Sequence, residues 1–159
     1  VPYSRDIGIS VHRAAGVLSV IGGVSMAGRF VVGMVIDRIG SKRSMAVSLG
    51  VLIIGFSWLQ TADRLWQIYL FAAVYGLAHG GFFTVISPLV AEFFGTLAHG
   101  SILGLVVAFG TTGGAIGPLL AGYLFDGRGS YSLPFTLMLG AACLGAALLF
   151  FLKPVRSSQ

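Results

Sequence analysis

The sequence has 159 residues, of which 56% are hydrophobic and only 9% are charged, whereas a soluble domain carries about 25% charged residues because its surface must face water. This composition excludes an ordinary soluble globule and predicts a chain whose exterior faces lipid. The net charge is +5, but the basic residues are scattered and form no face interleaved with aromatic residues, so no nucleic-acid partner is expected.

Five apolar segments follow one another along the chain. Each is long enough, or nearly so, to cross a bilayer as a helix, which takes about 20 residues. The sequence therefore predicts an all-α membrane protein with five transmembrane helices in a single domain over residues 1–159. The predicted spans are residues 14–36, 44–60, 65–90, 101–125 and 133–152. Five long apolar segments in succession disfavour the alternative of buried helices in a soluble protein.

The distribution of Lys and Arg predicts the orientation of these spans. The loop after the first span and the tail at residues 153–159 lie on the same side, which carries slightly more Lys and Arg than the other. The positive-inside rule then places this side, and with it the C-terminus, in the cytoplasm. Residues 1–6 lack an initiating Met and a signal-peptide pattern, which predicts a chain truncated at its N-terminus.

A charged motif connects the first span to the second. Residues 33–43 read Gly-Met-Val-Ile-Asp-Arg-Ile-Gly-Ser-Lys-Arg and resemble the G-x-x-x-D-R-x-G-x-R/K-R/K signature of the major facilitator superfamily. In that family the motif links two helices on the cytoplasmic side, once in each six-helix half, which implies a conformational gate. A glycine at the turn permits a tight connection. The motif positions are Gly33, Asp37, Arg38, Gly40, Lys42 and Arg43.

The fourth span decides which half of such a transporter the chain resembles. Gly113, Gly117, Pro118 and Gly122 are similar to a Gly-Pro motif in the fifth helix of many antiporters, and they are candidates for close helix packing. Residues 117–131, however, resemble the eleventh helix and following loop of bacterial monocarboxylate-transporter-like members, and residues 1–10 resemble their loop between helices seven and eight. We therefore interpret the chain as helices 8–12 of 12, similar to the monocarboxylate-transporter-like and oxalate–formate antiporter group.

Arg29 is the charged residue within the first span, four residues before Gly33. A charge in the membrane is costly and usually faces a cavity, a partner or a substrate. The resemblance implies that Arg29 binds a substrate carboxylate, since a guanidinium fits that group with two hydrogen bonds. The alternative is an arginine that extends to the cytoplasmic surface. Animal monocarboxylate carriers have an Asp where this chain has Ser25, so their Asp-linked proton coupling does not carry over.

The third span adds His79, a second candidate for substrate binding. Because an imidazole exchanges protons near neutral pH, His79 is also a candidate proton carrier. The alternative is a neutral histidine that is hydrogen-bonded to a neighbouring helix. Glu92, just beyond this span, either pairs with the basic residues of the motif loop as a gate latch or remains solvated. Four further residues carry hydroxyl groups, which either line a polar cavity or bond to the backbone of their own helix: Thr84, Ser87, Thr111 and Thr112.

Together these features predict a secondary active transporter of a small organic anion. By resemblance the anion is a monocarboxylate, moved by proton symport or anion exchange through alternating access, with the substrate near the membrane midplane. One alternative is a drug or metabolite efflux antiporter of the same superfamily. Another, from a different class, is a non-transporting membrane receptor or scaffold.

The sequence has no phosphate-binding loop, nucleophile elbow or metal-binding pair. We therefore expect no enzyme activity, no cofactor and no metal. The expected partners are the organic anion, protons, the lipid bilayer and the missing N-terminal half of the transporter. The family resemblance implies a multi-pass protein of the bacterial inner membrane.

Overall fold

A computed structural model describes residues 11–62 and 64–153 as a bundle of long helices. The helices are α1 (Val11–Ile39), α2 (Ser41–Leu59), α3 (Leu65–Phe94), α4 (His99–Arg128) and α5 (Ser132–Phe151). The part of the chain described in this way contains no strand. All five helices are long and apolar enough to cross a membrane, which confirms the predicted fold class. The loop predicted at residues 1–10 and the tail at residues 154–159 lie outside the described residues.

Each helix coincides with one predicted span, and the differences lie at the ends. α1 continues to Ile39 and α3 continues to Phe94, beyond the apolar segments, because a helix satisfies its own backbone whether or not its side chains face lipid. Gly40 separates α1 from α2 with a φ of 82°, in the left-handed region that favours glycine. The tight turn predicted at Gly40 is therefore confirmed.

The contact between α1 and α3 is the most extensive among the described helices, and glycines make it possible. A Cβ atom on Gly80 would collide with the backbone of Ser25, and one on Gly76 would lie 2.8 Å from the carbonyl oxygen of Ile21. Gly28 of α1 meets the backbone of α3 in the same way. Small residues spaced four apart, as Gly76 and Gly80 are, let two helix backbones touch.

α2 joins this pair to α5, so that α5 packs on α2, α2 on α3 and α3 on α1. Near one end of the bundle Met45, Leu49, Val85 and Leu149 form a buried cluster. A second cluster, around Leu59, lies where α2 leads into α3. The four helices therefore form one packed unit.

α4 lies at the edge of this unit. It touches only α3 and α5 among the described helices, and none of its described side chains is buried. Nothing in the described part of the chain lies within 4 Å of a Cβ built on Gly113, Gly117 or Gly122. The packing role of these glycines and of Pro118 therefore stays a prediction. It concerns helices other than those that the structure describes.

Lys42, in the first turn of α2, holds the ends of three helices together. Its Nζ donates hydrogen bonds to the carbonyl oxygens of Leu152, at 2.6 Å, and Phe150, at 3.3 Å. These carbonyls lie at the C-terminus of α5, where backbone oxygens lack partners within the helix and the helix dipole favours a cation. Nζ also lies 6.0 Å from the ring centre of Phe93, near the end of α3, within the range of a cation–π contact.

We predict that Gly80→Val destabilises the protein, because the added side chain has no space against the backbone of α1. Overpacking of this kind costs about 1–3 kcal/mol, and the expected result is a lower midpoint of thermal unfolding for the intact protein in detergent. Gly50→Val is the matched control, since nothing lies within 4 Å of a Cβ at Gly50. Equal midpoints for the two variants would contradict the proposed importance of the contact.

We also predict that Lys42→Met weakens the attachment of α5 to α2, because methionine cannot donate to the α5 carbonyls. The loss of charge-assisted hydrogen bonds predicts about 1–2 kcal/mol less stability at this partly exposed position, measured by thermal unfolding of the intact protein. Arg43→Met removes a neighbouring exposed cation that has no ion pair among the described residues and should cost less. A loss at Arg43 as large as that at Lys42 would show that only the net charge of the loop matters.

Candidate functional site

The close contact between α1 and α3 brings Arg29 and His79 together. Arg29 follows Gly28, and His79 precedes Gly80, so both residues are positioned by glycines that touch the opposite helix. Both residues therefore lie along the same close contact between α1 and α3. Arg29 is exposed in this chain and has no hydrogen bond or ion pair with a described residue. Two residues that the sequence indicated separately therefore form one candidate site.

His79 is half-buried among aromatic rings. The imidazole stacks on Tyr75, with ring centres 5.3 Å apart, and meets the edge of Phe83 at 4.9 Å. Its Nδ1 is buried and has no hydrogen-bond partner among the described residues, so the expected alternative of a hydrogen bond to a neighbouring helix is not found there. A buried polar atom without a partner costs about 1–3 kcal/mol. One hydrogen-bonding atom of His79 is therefore unused in the part of the chain that the structure describes.

A cavity of about 620 Å³ lies beside His79, between α2, α3 and α5. Its volume falls within the range of small-molecule sites, roughly 300–1,000 Å³. Tyr75 and His79 are the polar residues of its lining, which otherwise consists of aliphatic and aromatic side chains. A ligand held here would have an apolar body and would place its polar group toward Tyr75 and His79.

A second cavity, of about 330 Å³, lies mainly between α3 and α4. It shares Phe82 and Phe83 with the first cavity, and its lining contains no polar side chain. Because orientation and specificity require a few placed polar groups, the first cavity is the stronger candidate for a binding site.

The hydroxyl residues of α3 and α4 mostly bond to their own helices. Thr84 donates to the carbonyl oxygen of Gly80 at 3.0 Å, and Thr112 donates to that of Ala108 at 2.8 Å. Thr111 bonds in the same manner. Ser87 differs, because its Oγ lies 3.2 Å from Nε2 of His99 at the start of α4. Of the four, only Ser87 therefore connects two helices.

The motif residues lie at one end of the bundle. Asp37 and Arg38 occupy the last turn of α1, Gly40 forms the turn, and Lys42 and Arg43 begin α2. Asp37, Arg38 and Arg43 are exposed, and no ion pair joins them to one another or to another described residue. Of the charged motif residues, Lys42 is the one with hydrogen bonds and a ring contact to other described helices.

Two further gate residues have no close partner in this arrangement. Glu92 lies exposed in the last turn of α3 and forms no ion pair with the motif loop in the described part of the chain. Its neighbour Phe93 contacts Lys42 instead. A Cβ on Gly33 would meet nothing within 4 Å among the described residues. The latch at Glu92 and the close helix contact at Gly33 therefore stay predictions.

The aromatic wall of the first cavity was not predicted from the sequence. Phe71, Tyr75, His79 and Phe83 recur every fourth residue, a spacing that places them on one face of a helix and could have been read from the sequence. Phe56 of α2, whose ring centre lies 5.8 Å from that of Tyr75, could not have been found in this way. No local pattern specifies which residue of another helix faces the wall.

Known proteins similar to this chain are membrane transporters. Monocarboxylate transporter 12 of Mus musculus is 31% identical over 163 residues, which cover 98% of this chain and 33% of that protein. Monocarboxylate transporter 11 of Homo sapiens is 26% identical, covering 96% of this chain and 34% of its own length. Uncharacterized transporter YycB of Bacillus subtilis is 25% identical, covering 90% of this chain and 36% of its own length. The chain thus spans about one third of these relatives.

The sequence profile of the Major Facilitator Superfamily matches residues 1–159. This match covers the whole chain and agrees with the five membrane-capable helices and with the motif between α1 and α2. The chain therefore belongs to the Major Facilitator Superfamily, whose members are integral multi-pass membrane transporters and not enzymes.

Proposed function

We propose that this chain is part of a secondary active transporter of a small organic anion, and that Arg29 and His79 help to bind that anion. The observation that carries the proposal is a membrane-embedded arginine with no hydrogen bond or ion pair to a described residue, beside a histidine whose buried Nδ1 has no partner there either. A cation in a membrane helix is costly unless it has a functional partner. The similarity to proteins named monocarboxylate transporters supports a carboxylate as that partner.

In this mechanism the Arg29 guanidinium holds the carboxylate through two parallel hydrogen bonds. The bound anion offsets the charge of Arg29 and brings a negative charge to the side of His79, which favours a proton on the imidazole. Binding of the anion and binding of the proton then favour each other. The arrangement of Arg29 and His79 therefore supports proton symport more directly than exchange of one anion for another.

We further propose that the complete protein has twelve helices, of which this chain supplies helices 8–12. The matched relatives are about three times as long as this chain, which supports a second half that completes the site. The Lys42 end would face the cytoplasm together with the C-terminus, in a bacterial inner membrane. There the motif loop would stabilise one conformation of the alternating-access cycle, and Glu92 would pair with the loop in another.

Efflux of lipophilic compounds is a second candidate function, favoured by the apolar lining of the 620 Å³ cavity. It differs from anion transport in its dependence on charge. An exporter of neutral lipophilic compounds would work without Arg29, whereas an anion transporter would not.

We predict that Arg29→Gln raises the apparent KM for labelled lactate, in proteoliposomes that contain the intact protein, by about tenfold or more, because a charge-assisted pair contributes about 1.5–3 kcal/mol. Arg29→Lys keeps the charge but loses the planar fork, so its KM should lie between those of the unmodified protein and Arg29→Gln. Phe30→Leu changes the exposed neighbour of Arg29 and serves as the control. Unchanged KM in both arginine variants would remove the carboxylate role, and Arg29-independent flux of a neutral lipophilic compound would favour efflux.

We predict that His79→Gln abolishes the stimulation of lactate uptake by an inward proton gradient, because an amide cannot carry a proton. Exchange of internal for external lactate, which requires no net proton movement, should continue. Gradient-stimulated uptake that persists in His79→Gln would assign proton coupling to another residue. Absence of stimulation in the unmodified protein would favour anion exchange.

A further inference from the structure

We propose that an anionic phospholipid binds where α2 and α5 meet, at the end of the bundle that carries the motif. Its phosphate group lies between the side chains of Arg43 and Lys153, and its acyl chains lie along the exposed apolar surface of the two helices. This lipid site is separate from the proposed anion site, because it lies on helices that carry neither Arg29 nor His79.

Two exposed cations flank the hydrogen bond that joins α2 to α5. Lys42 donates to the carbonyl oxygen of Leu152 at 2.6 Å. Arg43 follows Lys42 in the chain and Lys153 follows Leu152, so this bond holds the two cations at neighbouring positions. Both are exposed, and neither has a hydrogen bond or an ion pair with a described residue. Lys42 already uses its charge at the end of α5, whereas these two charges remain available to an anion.

The acidic residues at this end of the bundle belong to other helices. Asp37 lies in the last turn of α1 and Glu92 in the last turn of α3, whereas α2 and α5 contain neither Asp nor Glu. The edge formed by α2 and α5 is therefore purely basic. An anionic lipid surface attracts each Lys or Arg beside it by about fivefold in affinity, so the charges of this edge are complementary to a phosphate headgroup.

An apolar surface for acyl chains begins directly beside these cations. On α2 the exposed residues Val47, Ile54 and Trp58 lie on the same helix face as Arg43, because their spacings match the helical repeat. Trp58, at the far end of this face, is a residue that membrane helices typically place at the membrane–water interface. The matching exposed residues on one face of α5 are Leu144, Leu148 and Phe151. A lipid bound here therefore finds a cation for its headgroup and apolar side chains for its tails.

The position of this edge in the bundle favours contact with lipid. α5 packs on α2, α2 on α3 and α3 on α1, and α5 does not contact α1 among the described helices. In the proposed transporter the other half of the protein closes over Arg29 of α1, which lies on the opposite side of this packed unit. The edge of α2 and α5 is then the part of the unit that such a partner leaves toward the membrane.

Native mass spectrometry of the intact protein tests this site. The protein is released from detergent micelles that contain equal amounts of phosphatidylglycerol and phosphatidylcholine with the same acyl chains, and the lipids that stay bound are counted. We expect at least about tenfold more phosphatidylglycerol than phosphatidylcholine, because two cations contribute about fivefold each. Arg43→Gln combined with Lys153→Gln should remove most of this preference. Equal thermal midpoints in lipid-free detergent would show that the variant folds.

Arg38→Gln is the matched control, because it removes an exposed cation at the same end of the bundle but on α1. The preference for phosphatidylglycerol should survive in this variant. Equal retention of the two lipids, or a loss in Arg38→Gln as large as in the double variant, would overturn the headgroup site. Retention of neither lipid by the folded, unmodified protein would also overturn it. That result would fit an edge covered by the other half of the protein or, if dimers appear in the spectrum, by a second copy.

Discussion

The backbone contact between α1 and α3 is the constraint on which the rest of the site depends. Gly28, Gly76 and Gly80 carry no Cβ, so the two helices touch along their main chains. Because the two helix axes are so close, residues next to these glycines on α1 lie near residues next to them on α3. Arg29 and His79 become neighbours for this reason, and larger residues at the three glycines would separate them. A packing feature thereby determines the electrostatics of the candidate site.

The fold was largely predictable because its determinants are local. Membrane helices follow from runs of apolar residues, and the turn at Gly40 follows from its position in a motif. The four-residue spacing of Gly76 and Gly80 is typical of a helix face that packs closely on another helix. The attachment of α5 was not predictable. Lys42 and Leu152 are 110 residues apart, and nothing in either local sequence indicates that this lysine caps that helix, since every helix end has unpaired carbonyls.

The same distinction applies to the site. Arg29 and His79 could be named as candidates from the sequence because a charge or an imidazole in an apolar helix is unusual wherever it packs. The cavity was not found, because its walls come from α2, α3 and α5 and are made of residues that are ordinary in any membrane helix. Only the arrangement in space shows that an aromatic wall of α3, which includes His79, faces small residues of α5.

Lys42 and Arg29 differ in whether the described residues provide contacts for their positive charges. Lys42 satisfies its charge with carbonyl oxygens of α5 and the ring of Phe93, so the structure itself accounts for this residue. Arg29 has no such contacts among the described residues, although it lies deeper in its helix, where an unpaired charge costs more. In the proposed transporter Arg29 and His79 belong to the same packed unit of helices. Both would then move as parts of one rigid body, and the other half of the protein would close over the substrate that they hold.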